Sequence, residues 1–207
     1  ALAGGALETQ RRFALGPSLG QCCGGVMHLT FERVEPAASD AVIARLRAEE
    51  DARRMPVALF GGGHVGRAIV RALAPLPLRV HWIDSRDEVF PEGLPAHVTA
   101  EHSAPVEDAV RDVAPLSRVL IMSFSHAEDL EIVAACLKRL RERDDLPFIG
   151  LIGSKSKWAS FRHRLEARGF GAAEIARITC PIGVPGVVGK EPEVIAAAVV
   201  AQLLQHR

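Results

Sequence analysis

The stretch Pro56-Val57-Ala58-Leu59-Phe60-Gly61-Gly62-Gly63-His64-Val65-Gly66 decides the fold. Pro56 to Phe60 is a short continuous apolar run and reads as a strand buried on both faces; the residues after the glycines read as a helix through about Leu73. The glycines are spaced Gly61-x-Gly63-x-x-Gly66. Between a strand and a helix, the first glycine of this pattern permits a tight turn and the second lets backbone approach a phosphate. The third lets the helix sit close on the strand, and the helix N-terminus favours an anion. Leu78 to Ile83 reads as the next strand, closed by Asp84, 21 residues beyond Gly63. Such folds place there a carboxylate that accepts from a ribose hydroxyl. A tight turn with no ligand is the rival reading of the glycines. Arg86, two residues past Asp84, reads as a solvated charge rather than as the seat of an extra ribose phosphate.

Working outward, apolar runs at Arg118 to Met122 and Pro147 to Ile152 alternate with helical stretches near Val106 to Val113 and Ala127 to Arg141. Doubly apolar strands separated by helices imply a parallel sheet covered on both sides. The expected fold is therefore α/β: a Rossmann-like doubly wound parallel sheet with a small N-terminal β-containing unit. A helix near Lys157 to Arg168, a loop from Cys180 to Gly186 and a last helix with Pro192 in its first turn complete it. Before the sheet, Met27, Leu29 and Phe31 alternate with His28, Thr30 and Glu32, the period of a half-buried strand, and a helix from Asp40 to about Arg54 acts as connector. The expected divisions are an N-terminal unit over 1–38, a connecting helix over 39–54 and the Rossmann-like domain over 55–207.

A chain of 207 residues has room for a real core. At 48% hydrophobic and 24% charged it is neither disordered nor collagen-like. Lys+Arg and Asp+Glu are both 25, and there is no Tyr, so neither a basic excess nor stacking aromatics equip it for nucleic acid. Four cysteines without a C-x-x-C pair point to a reducing cytoplasm rather than a disulfide framework. The longest apolar stretch, Val194 to Leu204, is too short to span a membrane. Ala1, set in a Gly-rich phrase, reads as the start of an incomplete N-terminal unit of a longer product.

Cys22 and Cys23 lie in the Gly-rich phrase Leu19-Gly20-Gln21-Cys22-Cys23-Gly24-Gly25. Free backbone N–H groups there would stabilise a thiolate; two small buried residues in a turn is the equal alternative. Cys136, beside Val133 and Leu137, reads as core packing, and Cys180 stays open. Ser123-Phe124-Ser125-His126 follows a strand and so stands at the carboxyl edge of the sheet, where ligands bind. His126 is a candidate donor to a ligand, and Ser125 a candidate N-cap with Glu128 closing a capping box. Gly153-Ser154-Lys155-Ser156-Lys157 brings hydroxyls, amides and ammonium groups to the same edge. Three such loops suit one anionic ligand. The His and Cys spacings are not those of a zinc site.

These residues resemble a known family. Gly4 to Glu8, Gly20-Gln21-Cys22-Cys23-Gly24-Gly25, Leu59 to Gly66, Pro147 to Lys155, Cys180-Pro181-Ile182-Gly183 and Lys190 to Ala196 are similar to the XdhC/CoxI family of xanthine dehydrogenase accessory proteins. The resemblance covers essentially the whole chain. It implies a cytoplasmic carrier and insertion chaperone for the molybdenum cofactor (molybdopterin), not a turnover enzyme. Its partners would be a cysteine desulfurase and the molybdenum subunit of xanthine dehydrogenase. Together with the residue readings above, it gives a cofactor-binding set of Gln21, Cys22, Cys23, Gly61, Gly62, Gly63, His64, Gly66, Asp84, Ser125, His126, Ser154 and Lys155; the resemblance implies Cys22 or Cys23 near molybdenum and no direct protein metal site. Thiolate suits a sulfur-rich metal centre. From Gly61 to Gly66 and Asp84 alone, an NAD(P)-dependent oxidoreductase or a nucleotide-sensing regulator is the alternative, and a homodimer is open.

Overall fold

The computed structural model describes residues 10–16, 25–31 and 34–206, and the chain divides into two units between Glu50 and Asp51. In the first unit, Gln10–Leu15 (β1) and Gly25–Thr30 (β2) form an antiparallel pair, with Phe13 opposite Met27. The expected strand is present, but all six β2 residues are exposed, so the alternation of Met27 and Leu29 does not bury a face. Two short strands supply no second layer for one to pack against. After a 3-10 turn at Pro36–Ala38 comes the helix Ser39–Arg53 (α1), entered where Ser39 Oγ donates to Pro36 O at 2.8 Å.

The second unit is built on Met55–Phe60 (β3), Leu78–Asp84 (β4), Val98–His102 (β5), Arg118–Ile121 (β6), Phe148–Leu151 (β7) and Ile178–Thr179 (β8). All pair in parallel in the order β5-β4-β3-β6-β7-β8. The helices are His64–Leu73 (α2), His126–Arg143 (α3), Lys155–Ala167 (α4), Ala172–Ile175 (α5) and Pro192–Gln205 (α6). The chain leaves β3 in one direction and returns to β6 on its other side, the reversal that defines a doubly wound sheet and its ligand crevice. Alternate residues of each strand face opposite layers. Val57, Leu59, Val80 and Trp82 pack under α2 and α6, whereas Ala58, Phe60, Ile83 and Ile121 pack under α3, α4 and α5.

Three elements depart from the sequence expectation. Val106–Arg111 is a 3-10 helix, not an α-helix; it is hemmed by Pro105 and Pro115, and its i, i+3 spacing turns Val106 and Ala109 inward together. The edge strand β5 buries only Val98, and β8 is two residues long, so neither carries the apolar run that marks β3.

Two backbone contacts hold α2 on the sheet. A Cβ at Gly66 would overlap the Gly61 carbonyl oxygen, and one at Gly61, where φ is +126°, would overlap the Met122 carbonyl. On the opposite layer Arg139, 5% exposed, crosses to the 3-10 helix. Its Nη1 donates to Val110 O and Val113 O, both at 2.7 Å, while Nε and Nη2 grip Asp145 at 2.9 and 2.7 Å.

Gly66→Ala is expected to destabilise the domain by about 3 kcal/mol through overpacking, a fall of roughly 10 °C in Tm, measured by thermal melting followed by circular dichroism. Arg139→Met leaves the Asp145 carboxylate and two buried carbonyls without their donor and is expected to cost about 3 kcal/mol. The check is a lower urea midpoint at unchanged slope.

Candidate functional site

The β3–α2 turn opens the crevice at the carboxyl edge of the sheet. Gly61 N donates to Ile83 O at 2.8 Å, and the buried Trp82 indole N–H donates to Gly61 O at 2.9 Å. Gly62 N donates to Asp84 Oδ2 at 2.6 Å, and a Cβ there would overlap Val89. Gly63 is the N-cap of α2, and a Cβ placed on it would meet nothing within 4 Å. Gly61 and Gly66 are thus required by the protein's own packing, and Gly63 is not. The first-turn N–H groups of α2, on His64, Val65 and Gly66, have no intrahelical acceptor and point out of the helix end, with no acidic residue in that turn.

Asp84 ends β4 as expected, but its carboxylate, 1% exposed, is fully engaged inside the protein. Oδ1 accepts from Arg86 N and Nε, both at 2.9 Å; Oδ2 accepts from Gly62 N and from Arg86 Nη2 at 3.0 Å. Burial alone would raise its pKa; the Arg86 guanidinium and the Gly62 and Arg86 N–H groups outweigh it and hold the carboxyl below its ordinary value. Arg86 is therefore paired with Asp84 while its guanidinium stays 37% exposed. Its guanidinium also lies 4.5 Å from the centroid of the Phe124 ring, which joins the loops after β4 and β6. Beside it Ser85 Oγ donates to Glu128 Oε1 at 2.7 Å, and Phe124 N donates to Glu128 Oε2 at 3.2 Å. Ser125 does cap α3, accepting from Glu128 N at 3.2 Å, but the Glu128 carboxylate returns to Phe124 N instead of closing the reciprocal box on Ser125.

The third loop is tied to the second. Ser123 N and Oγ donate to Asp129 Oδ1 at 2.8 and 2.7 Å, and Lys157 Nζ donates to Asp129 Oδ2 at 2.5 Å and to Ile152 O at 2.8 Å. Lys157 and Asp129 are buried, at 9% and 3% side-chain exposure, so this ammonium braces the edge instead of greeting a ligand. Ser154 is an N-cap, accepting from Lys157 N at 3.1 Å. Lys155 lines a separate cavity of about 450 Å³ with Ile182, Val184, Val194, Ile195 and Ala198.

Gly61, Gly62, Asp84 and the loop at Ser125 are thus brought together around the crevice. His64, His126 and Lys155 each open a helix at the carboxyl edge and are exposed. Gln21, Cys22 and Cys23 lie outside the described residues. Arg86, Phe124, Glu128 and Asp129 were not singled out from sequence as a connected set. The one local signal was a carboxylate, Asp129, four residues after a capping Ser125 on an otherwise apolar helix face.

A family model described as the XdhC Rossmann domain matches residues 57–203. The uncharacterized protein YqeB of Escherichia coli strain K12 is 32% identical over 155 residues, which are 73% of this chain but 27% of that protein. Among solved structures, a xanthine dehydrogenase from Bacillus halodurans superposes with a TM-score of 0.59 at 24% identity, over 74% of this chain and 42% of that one, a likeness of fold. The chain therefore spans less than half the length of either relative. With the family match running from β3 to the last turn of α6, the chain belongs to the XdhC family, and its second unit is an XdhC Rossmann domain.

Proposed function

We propose that the chain is the cofactor-binding part of an accessory protein that holds the molybdenum cofactor in the cytoplasm, supports its sulfuration and delivers it to xanthine dehydrogenase. The observation that carries this reading is Gly63, a glycine that packing does not demand, facing open space at the start of a ten-residue helix in an XdhC Rossmann domain. A pterin cofactor ending in a phosphate fits that donor set, because the anion would take the first-turn amides of α2 without displacing any side chain. When bound, the cofactor supplies the molybdenum redox chemistry of the recipient enzyme. This chain's own residues would hold and orient it: the amides of His64 and Val65 at the phosphate, and His126 and Ser154 from neighbouring loops.

Sulfur handling needs a thiolate, and the described cysteines are poor at forming one. Burial pushes Cys136 up to about 12, and it pushes Cys180 up to about 11 against the opposing pull of Lys157. That supports Cys22 and Cys23, in their Gly-rich phrase, as the thiols that meet the metal end.

Protein purified from a host that makes the cofactor is expected to retain molybdenum and pterin in equal amounts. A Cys22→Ala, Cys23→Ala double variant is expected to lose at least tenfold of its activation of apo-xanthine dehydrogenase. A protein that retains no cofactor, with a double variant that still activates, overturns the reading. In the same protein at pH 8, Cys180 is thiolate in roughly a thousandth of molecules, so iodoacetamide is expected to spare it, with labelling by mass spectrometry rising only as pH approaches 11.

A further inference from the structure

The end of β4 is where a doubly wound fold meets the ribose of a dinucleotide, and an acidic side chain there serves the ribose hydroxyls only through lone pairs it has left. A carboxylate offers about four such sites. Asp84 has used four, on Gly62 N, Arg86 N, Arg86 Nε and Arg86 Nη2, and it is 1% exposed. A ribose diol brought to this end finds no free lone pair on Asp84.

What it finds is Arg86. The guanidinium is 37% exposed. Asp84 fixes its plane with two parallel bonds and Phe124 covers one face, so its position is set before any ligand arrives. Nε and one Nη2 hydrogen are committed to Asp84, while both Nη1 hydrogens and the second on Nη2 have no acceptor among the described residues. A second guanidinium, Arg67, is held to the neighbouring turn through Val89 O at 2.7 Å. Of the nearby acids, Glu128 is turned onto Ser85 and Phe124 N, and Asp87 and Glu88 are exposed to solvent. A pre-set guanidinium edge matches the oxygens of a phosphate better than it matches a neutral hydroxyl.

We propose that the β4 end of the crevice is a phosphomonoester seat, with Arg86 as the contact residue and Asp84 and Phe124 as its positioning residues, and that it discriminates against the same ligand lacking the phosphate. The inference rests on the reading that the crevice carries a phosphate-bearing guest, and it names the group recognised. Two sources share this chemistry: the 2′-phosphate of a nicotinamide dinucleotide, and the terminal phosphate of a pterin, which Arg86 would then share with the first-turn amides of α2, the two being joined through Gly62 N and Asp84.

The test is equilibrium dialysis of the whole protein against two pairs of probes, each pair differing by one phosphomonoester: NADPH against NADH, and 6-hydroxymethylpterin monophosphate against 6-hydroxymethylpterin. In at least one pair the phosphorylated member is expected to bind tenfold tighter or more, and the pair that shows it identifies the source. Arg86→Ala is expected to bring that ratio within about threefold, chiefly by weakening the phosphorylated probe. Arg86→Gln, which keeps a planar polar head toward Asp84, serves if Arg86→Ala does not fold, with the same fall expected. Wild-type protein that binds neither phosphorylated probe more tightly than its partner overturns the inference, as does a preference that survives loss of Arg86. Retention of the molybdenum cofactor without a phosphate preference sinks this inference alone; a preference for NADPH without cofactor retention sinks only the carrier reading.

Discussion

The second unit depends on one close approach of backbone to backbone. Helix α2 can leave β3 as it does only because neither Gly61 nor Gly66 carries a Cβ, each of which would run into a carbonyl oxygen. That contact sets the helix axis over Leu59 and Trp82, buries Ile69 and Leu73 against the sheet, and aims the first turn of α2 at the crevice. The same two glycines that seat the helix leave Gly63 at its start, where a Cβ would meet nothing within 4 Å.

Around that turn, the protein uses charge to fix loops. Three acidic side chains at the carboxyl edge, Asp84, Glu128 and Asp129, all accept from the backbone N–H groups of neighbouring loops. Two of them also take a cation, Arg86 or Lys157. In such pairs desolvation offsets much of the attraction between the charges. Their effect is to hold the loops after β4, β6 and β7 in one arrangement, so that a ligand meets a surface whose ordering cost is already met.

Much of this was legible from residues alone. The apolar runs of β3, β4, β6 and β7 and the glycine spacing are local signals, and they specify strand, turn and helix without reference to anything distant. The resemblance to the XdhC/CoxI family was legible in the same way. Edge strands were not, because β5 has one covered residue and β8 only two residues in all. The least legible feature was the role of charged residues. Asp84 stands where a ribose acceptor belongs, and only the fold shows that Arg86, two residues on, has taken its lone pairs. Lys157 reads as a surface ammonium until its partner Asp129, 28 positions earlier, is known to lie beneath it.

Trp82 gives the turn an optical reporter of its own. Its indole N–H is bonded to the carbonyl of Gly61, and the ring, 1% exposed, stands edge-on to Phe90 at 5.3 Å. An anion drawn to the start of α2 changes the electric field along that bond, and the emission of a buried indole follows such a field. The other tryptophan, Trp158, belongs to the opposite layer with α4, so replacing it with phenylalanine leaves a protein whose intrinsic light comes from the glycine turn alone.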